Sequence, residues 1–156
     1  MLYEPNLDVT LYHTVGLARS GKSTYCSKWA KQKPMRAIIC PDDFRAVIHE
    51  GIPFINSAEK IIWCHAQYAA QSLLHRGFDV IIDATLTTDY QRDEIRKWHP
   101  IVKPVVIHTP MKECLKRALE NNQEELISII KMMCGRWDYD DYYDEEKKDI
   151  EKEYLL

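Results

Sequence analysis

Eight consecutive residues have the types and the spacing needed to hold a nucleotide triphosphate. Residues 16–23 read GLARSGKS and match the phosphate-loop pattern GxxxxGK[ST]. Gly16 and Gly21 permit a tight loop whose backbone N–H groups surround phosphate oxygens, and Lys22 can reach the β and γ phosphates. The Ser23 hydroxyl can bind Mg²⁺ together with waters. The pattern therefore predicts the nucleotide-binding residues Gly16, Ser20, Gly21, Lys22, Ser23 and Thr24.

Carboxylates follow two other apolar runs of the chain. Residues 36–40 precede PDDFR, which contains Asp42, and residues 79–83 end in Asp83 and precede ATLT. Ligands of a parallel α/β sheet bind at the carboxyl ends of its strands, so we expect both carboxylates beside the bound phosphates. In phosphoryl transfer a carboxylate orients the attacking hydroxyl and receives its proton, a role that suits Asp42. The alternative for Asp42 is the N-cap of a helix.

These residues require strands and helices that bring them to one edge of a sheet. The apolar run 9–15 precedes the phosphate loop as a strand, and a helical pattern over about 22–33 follows the loop and stops at Pro34. The run 101–107 predicts a fourth strand. Its Pro104 cannot donate a ladder hydrogen bond, which indicates an edge strand or a strand that begins only at Pro104.

The longest predicted helix covers about residues 57–76, between the second and third strands. Its expected core face includes Ile61 and His65, and His65 is interpreted as a core histidine rather than a ligand. Asn56 or Ser57 can cap the start of this helix, and Glu59, three residues after Asn56, has the spacing that completes a capping box.

Together these elements predict an α/β fold, an αβα three-layer sandwich around a parallel sheet of four or five strands. Two later helices are expected over 111–119 and 124–135. A chain of 156 residues suits one domain, which we place at 1–137, followed by an acidic, tyrosine-containing tail at 138–156. The tyrosines could pack back on the domain; the alternative is a solvated, partly helical end.

Composition and charge exclude several classes of protein. The apolar fraction of 46% and the well-mixed charges exclude a disordered or fibrous chain. No apolar run approaches the roughly 18 residues of a membrane-spanning helix. The N-terminus lacks the basic flank of a secretory signal, so we expect a cytoplasmic protein with no membrane partner. The five cysteines lack C-x-x-C spacing, which argues against a disulfide framework or a zinc site.

Three motifs in order carry a family resemblance. GLARSGKST, then DDFR, then GFDVIIDAT resemble the P-loop kinase family of the bacteriophage polynucleotide 5′-hydroxyl kinase, from about residue 9 to residue 139. The resemblance implies Asp42 as general base and Arg45 as the group that holds a phosphate of the acceptor. It also implies that Asp83, with Thr85, contacts the acceptor. Asp83 could instead orient Mg²⁺, and both roles stay open.

The resemblance further implies a helical lid after the fourth strand, and here the sequence departs from the family. Arg117 matches the basic cluster that ends the first lid helix and is the expected nucleotide clamp. The following residues, 118–125, contain no basic residue, so one clamp arginine is missing. Lys112, Arg136 or a second subunit could replace it, whereas Arg19 is interpreted as a solvent-facing arginine.

Three functions are compatible with these motifs. The leading hypothesis is an ATP- and Mg²⁺-dependent kinase that phosphorylates the 5′-hydroxyl of a DNA or RNA end, with Asp42 and Lys22 as catalytic residues. The alternative is a kinase of a small-molecule hydroxyl, such as a nucleoside, sugar, antibiotic or nucleotide sugar. A non-catalytic nucleotide-binding domain is the third, but the chain lacks the N-K-x-D and D-x-x-G patterns of nucleotide switches. The oligomeric state is not predicted.

Overall fold

A computed structural model of the chain describes residues 4–49 and 56–154, and their four strands form one parallel sheet. The strand order is β2-β3-β1-β4. The predicted parallel α/β sheet is confirmed. Pro104 lies in an edge strand, as expected, although that strand begins at Val102. The strands are β1 (Leu11–Val15), β2 (Arg36–Ile39), β3 (Asp79–Ile82) and β4 (Val102–Val106).

Seven helices lie among the described residues. The helix after the phosphate loop ends at Ala30 rather than near Lys33. At this end of the helix, the Arg36 guanidinium donates a 2.9 Å hydrogen bond to the carbonyl of Trp29. The helices are α1 (Lys22–Ala30), α2 (Pro41–Ile48), α3 (Ala58–His75), α4 (Asp89–Arg96), α5 (Met111–Glu120), α6 (Leu126–Gly135) and α7 (Asp144–Tyr154).

The core surrounds the two central strands. Val80, Ile81 and Ile82 of β3 are all fully buried, which explains why this strand is a continuous apolar run rather than an alternating one. One cluster packs α3 and β3 together, and a second joins Val15 to α5, α6 and the start of the tail. Since all strands are parallel, their carboxyl ends meet at one edge of the sheet and bring the predicted site residues there.

Two predictions for α3 are wrong. Ser57, one of the two expected caps, is the N-cap but makes no side-chain capping bond. Glu59 does not close a capping box, because its carboxylate pairs with Arg45 of α2. His65 and Ile61 are exposed rather than in the core, and His65 stacks on Phe44 with ring centroids 3.7 Å apart. The buried face of α3 is rotated toward Ala58, Ile62, Ala66, Ala70, Gln71 and Leu74.

The start of the tail packs against the rest of the chain. Tyr143 is fully buried, and its hydroxyl donates a 2.5 Å hydrogen bond to the carbonyl of Thr109. Glu146 accepts the backbone N–H of Met111, the first residue of α5. Tyr143 therefore packs on the domain, which is the first of the two alternatives given for the tail tyrosines. Within the described ranges, no helix combines the length and the apolar character of a membrane span.

Candidate active site

A cleft of about 840 Å³ lies at the carboxyl edge of the sheet. The elements that line it are the phosphate loop with α1, the start of α2, the loop after β3, and the helices α5 and α6. The side chains around it are Ala18, Arg19, Lys22, Ser23, Thr24, Cys40, Asp42, Asp83, Ala84, Thr85, Arg117, Leu126, Ile129 and Met133, together with Gly21.

The phosphate loop has the conformation that an anion-binding loop requires. Gly21 has a φ of 101°, in the left-handed region, and is the N-cap of α1 without a side-chain capping bond. The first N–H groups of α1 therefore remain available to an anion, and no acidic residue lies in the first turn. A Cβ atom at Gly16 would lie 2.7 Å from the Ser20 Oγ and 3.3 Å from the carbonyl oxygen of Ile107, so any larger residue there would have to displace the Ser20 side chain. The Ser20 Oγ is buried and has no partner within the described chain.

Lys22 extends from the first turn of α1 into the cleft and is 8% exposed. Its Nζ donates a 2.6 Å hydrogen bond to the carbonyl of Leu17, within the phosphate loop. Burial lowers the pKa of Lys22, and the nearby Asp83 carboxylate opposes that shift. A buried ammonium held against the loop in this way is placed to meet phosphate oxygens.

The loop after β3 is fixed to the sheet and to the phosphate loop. Asp83 is 6% exposed, and its backbone N–H bonds to the carbonyl of Ile39 at 2.9 Å. The carbonyl of Thr85 accepts the N–H of Gly16, also at 2.9 Å. Asp83 and Thr85 both line the cleft, and Thr85 is in contact with the loop that contains Lys22.

Asp42 lies at the rim of the cleft, in the first turn of α2. Cys40 is the N-cap and Pro41 the first helical residue, so Asp42 is not the helix cap. Its side chain is 78% exposed and pairs with the Arg45 guanidinium. Arg45 itself does not line the cleft, because its Nε and Nη2 donate to Glu59 of α3 at 2.6 and 3.0 Å.

The lid helices carry one cation into the cleft. Arg117 of α5 donates from Nη1 to the carbonyl of Arg19 at 3.2 Å and from Nε to Glu113 at 2.9 Å. Lys112 and Arg136, the suggested substitutes for a missing clamp arginine, are exposed and outside the cleft. Apolar side chains of α6 complete this wall: Leu126, Ile129 and Met133.

Near the cleft, Arg19 and Glu59 differ from the positions that the sequence predicts. Arg19 lines the cleft and its Nε is buried, so it is not simply a solvent-facing arginine. Its position inside the phosphate loop was the available signal. Glu59 carries no sequence signal for its role, because its pairing with Arg45 depends on how α2 and α3 pack.

The arrangement fits a nucleotide triphosphate with Mg²⁺. Mg²⁺ prefers oxygen ligands and is usually held by one or two side chains, waters and substrate phosphates. The Ser23 hydroxyl and the Asp83 carboxylate are oxygen groups of the same cleft. Within residues 4–49 and 56–154, no cluster of three or more His, Cys, Asp or Glu side chains could hold a metal by itself.

Most of the chain matches one known protein family. A family model described as an AAA domain matches residues 11–126. No curated protein sequence matches the chain significantly.

Several solved structures, two of them of kinases, share the fold. A chain of the Pnkp1/Rnl/Hen1 complex is 24% identical with a TM-score of 0.64; the match covers 70% of this protein and 38% of that chain. The Mycobacterium tuberculosis APS kinase CysC, in complex with AMPPNP and APS, is 20% identical with a TM-score of 0.59, covering 76% and 72%. A gluconokinase from Sinorhizobium meliloti 1021 is 17% identical with a TM-score of 0.55, covering 82% and 75%. The protein thus spans well under half of the Pnkp1 complex chain and most of the two small-molecule kinases.

Proposed function

The chain belongs to the AAA domain family and has the P-loop kinase fold, and from that premise we propose that it transfers the γ-phosphoryl group of ATP to the 5′-hydroxyl of a nucleic acid end. The observation that carries the proposal is that Lys22 and Asp42 line one cleft, with Arg45 bonded to Asp42 at its rim. Lys22 is a cation for the donor phosphates, Asp42 a base for an acceptor hydroxyl, and Arg45 a cation for a phosphate of the acceptor.

Each residue then has a role in transfer. Lys22 and the N–H groups at the start of α1 bind the β and γ phosphates, and Arg117 neutralises charge from the lid side. Asp42 orients the acceptor hydroxyl and takes its proton as the oxygen bonds to the γ phosphorus and the bond to ADP breaks. When bound, Mg²⁺ neutralises charge on the transferred phosphoryl oxygens, and Ser23 would hold it with waters.

Asp83 and Thr85 form the proposed acceptor side of the cleft. Both residues line the cleft, and their loop touches the phosphate loop through Gly16. An acceptor hydroxyl between Asp42 and Asp83 would meet the donor at Lys22. Asp83 also lies near the Lys22 ammonium, which is compatible with the alternative role of orienting Mg²⁺.

A small-molecule kinase is the second candidate, and one observation favours it. Arg45 is already bound at two points by Glu59, which reduces its availability to a nucleic acid phosphate. The chain of the Pnkp1/Rnl/Hen1 complex, the APS kinase and the gluconokinase all share the fold, so the fold does not choose the acceptor.

Phosphoryl transfer from γ-labelled ATP tests the proposal. The protein with Mg²⁺ is offered 5′-hydroxyl oligonucleotides, 3′-nucleotides, nucleosides and sugars in parallel, and we expect label on the oligonucleotides. Asp42→Asn should abolish transfer. The matched control is Asp43→Asn, the same change one residue further along α2 and outside the cleft, which should retain activity. Label on nucleosides or sugars alone overturns the proposed acceptor, and full activity of Asp42→Asn overturns the proposed base.

A further inference from the structure

Arg19 lies inside the phosphate loop in a backbone conformation that glycine adopts more easily. Its φ is 64°, in the left-handed region, where a side chain with a Cβ costs free energy that glycine does not. Such strain persists where surrounding contacts impose it, and it is concentrated at functional sites. The Arg19 backbone is in contact with the lid helix α5, because Arg117 donates a 3.2 Å hydrogen bond to the Arg19 carbonyl.

The Arg19 side chain has a buried donor without a partner. Its Nε is shielded from solvent and makes no hydrogen bond within the described residues, although the side chain lines the cleft. A buried donor on a charged group is costly when it is unpaired. An anion in the cleft would supply the acceptor, so the side chain is better satisfied with a bound triphosphate than without one.

The other two cations in the described part of the cleft are already hydrogen-bonded to protein groups, which leaves Arg19 to neutralise charge on a bound phosphate. These two are Lys22 and Arg117. Lys22 is bonded to the Leu17 carbonyl, and Arg117 is divided between Glu113 and the phosphate loop. The lid loop that follows Arg117 has no basic residue from 118 to 125.

We propose that Arg19 is a further catalytic residue, which binds the γ-phosphoryl group during transfer in place of a second lid arginine. As the acceptor oxygen bonds to the γ phosphorus and the bond to ADP breaks, the Arg19 guanidinium stabilises negative charge on the transferred oxygens. The acceptor proton passes to Asp42, so Arg19 exchanges no proton. The inference rests on ATP-dependent transfer in the proposed function but not on the identity of the acceptor.

Arg19→Gly separates catalysis from structure, because it removes both the cation and the backbone strain. We expect kcat to fall about 10³-fold, the scale of a positioned arginine in phosphoryl transfer, while the thermal midpoint stays the same or rises. Arg19→Lys should recover part of kcat. Lys116→Ala, which removes an exposed cation of α5 outside the cleft, is the control and should leave kcat unchanged. Unchanged kcat in Arg19→Gly, or a loss explained by unfolding, overturns the inference.

Nucleotide binding keeps the inference testable if no acceptor is phosphorylated. In that case the proposed acceptor is wrong, and affinities for ATP and ADP are compared by calorimetry. We expect Arg19→Gly to weaken ATP binding while ADP binding stays at the wild-type value, because only ATP has a γ phosphate. Equal losses for both nucleotides, no loss, or absence of ATP binding in the wild type overturns the role of Arg19.

Discussion

Arg45 and Glu59 form a two-point ion pair that joins α2 to α3. The guanidinium donates from Nε and Nη2 to the two carboxylate oxygens at 2.6 and 3.0 Å, and Nη1 bonds to Asp42. The hydrogen bond with Glu59 is the main cause that raises the pKa of Arg45, and the same bond lowers the pKa of Glu59. Because a guanidinium has five N–H donors, two remain for an acceptor phosphate. Glu59 therefore fixes Arg45 beside the proposed base.

Glu59→Gln should weaken the binding of acceptors that carry a phosphate. The variant loses a charge-assisted pair, so Arg45 moves more freely, and we expect KM for a 3′-nucleotide to rise about tenfold. KM for ATP should not change. Glu94→Gln, which breaks an exposed pair with Lys97, is the control. A lower KM for the 3′-nucleotide would show instead that Glu59 competes with the phosphate for Arg45.

Asp138→Asn should loosen the loop that contains the proposed acceptor residues. The carboxylate accepts 2.6 Å and 2.8 Å bonds from the buried Arg92 guanidinium and the Asp89 N–H, and Arg92 also bonds the carbonyl of Leu86. Since Asp138 is about half exposed, we expect a loss of ~1–2 kcal/mol in the free energy of unfolding, measured in urea. The control is Asp93→Asn, which breaks an exposed ion pair with Arg96 in α4, the helix that also contains Arg92. Amide exchange over residues 84–88 should be faster in Asp138→Asn than in this control.

Exchange as slow as in the Asp93→Asn control would contradict this prediction. It would mean that the sheet alone fixes the loop, through the bonds of Asp83 and Thr85 to Ile39 and Gly16.

Tyr143→Phe tests whether the tail supports the phosphate loop. The hydroxyl bonds the Thr109 carbonyl at 2.5 Å, and the Thr109 hydroxyl in turn donates to the carbonyl of Ser20 at 2.8 Å. Loss of one buried hydrogen bond should cost about 1 kcal/mol of unfolding free energy and weaken ATP binding. Tyr142→Phe removes a hydroxyl from an exposed ring and is the control. Unchanged ATP affinity in Tyr143→Phe would mean that the tail stabilises the fold but does not contribute to nucleotide binding.

The parts of the site that lie within short motifs could be predicted, and the parts that depend on packing could not. GLARSGKS fixes the glycines, Lys22 and the start of α1 by local geometry alone. By contrast, α4 has a polar sequence in which Arg92 and Ile95 are the buried residues, so no apolar period reveals it. Glu59 fits a capping box by spacing, yet its carboxylate pairs with Arg45 instead, a contact that exists only after α2 packs on α3.

His13 should make the protein less stable as the pH falls below about 6.5. This histidine of β1 is 2% exposed. Burial is the main cause that lowers its pKa to about 4, and the nearby charges of Arg92 and Arg96 act in the same direction. Between the unfolded value near 6.5 and about 4, the unfolded chain binds a proton that the folded chain does not. Folding is therefore opposed increasingly as pH decreases through this window, by about 3 kcal/mol in all.

His13→Gln removes this proton-linked term, so its unfolding free energy should depend less on pH than that of the wild type. In urea titrations from pH 7.5 to 4, we expect the wild type to lose about 3 kcal/mol more than the variant, whatever the other groups contribute to both. His65→Gln, at an exposed histidine of α3, should follow the wild-type profile. Parallel profiles for His13→Gln and the wild type would mean that His13 becomes protonated in the folded chain as readily as in the unfolded one.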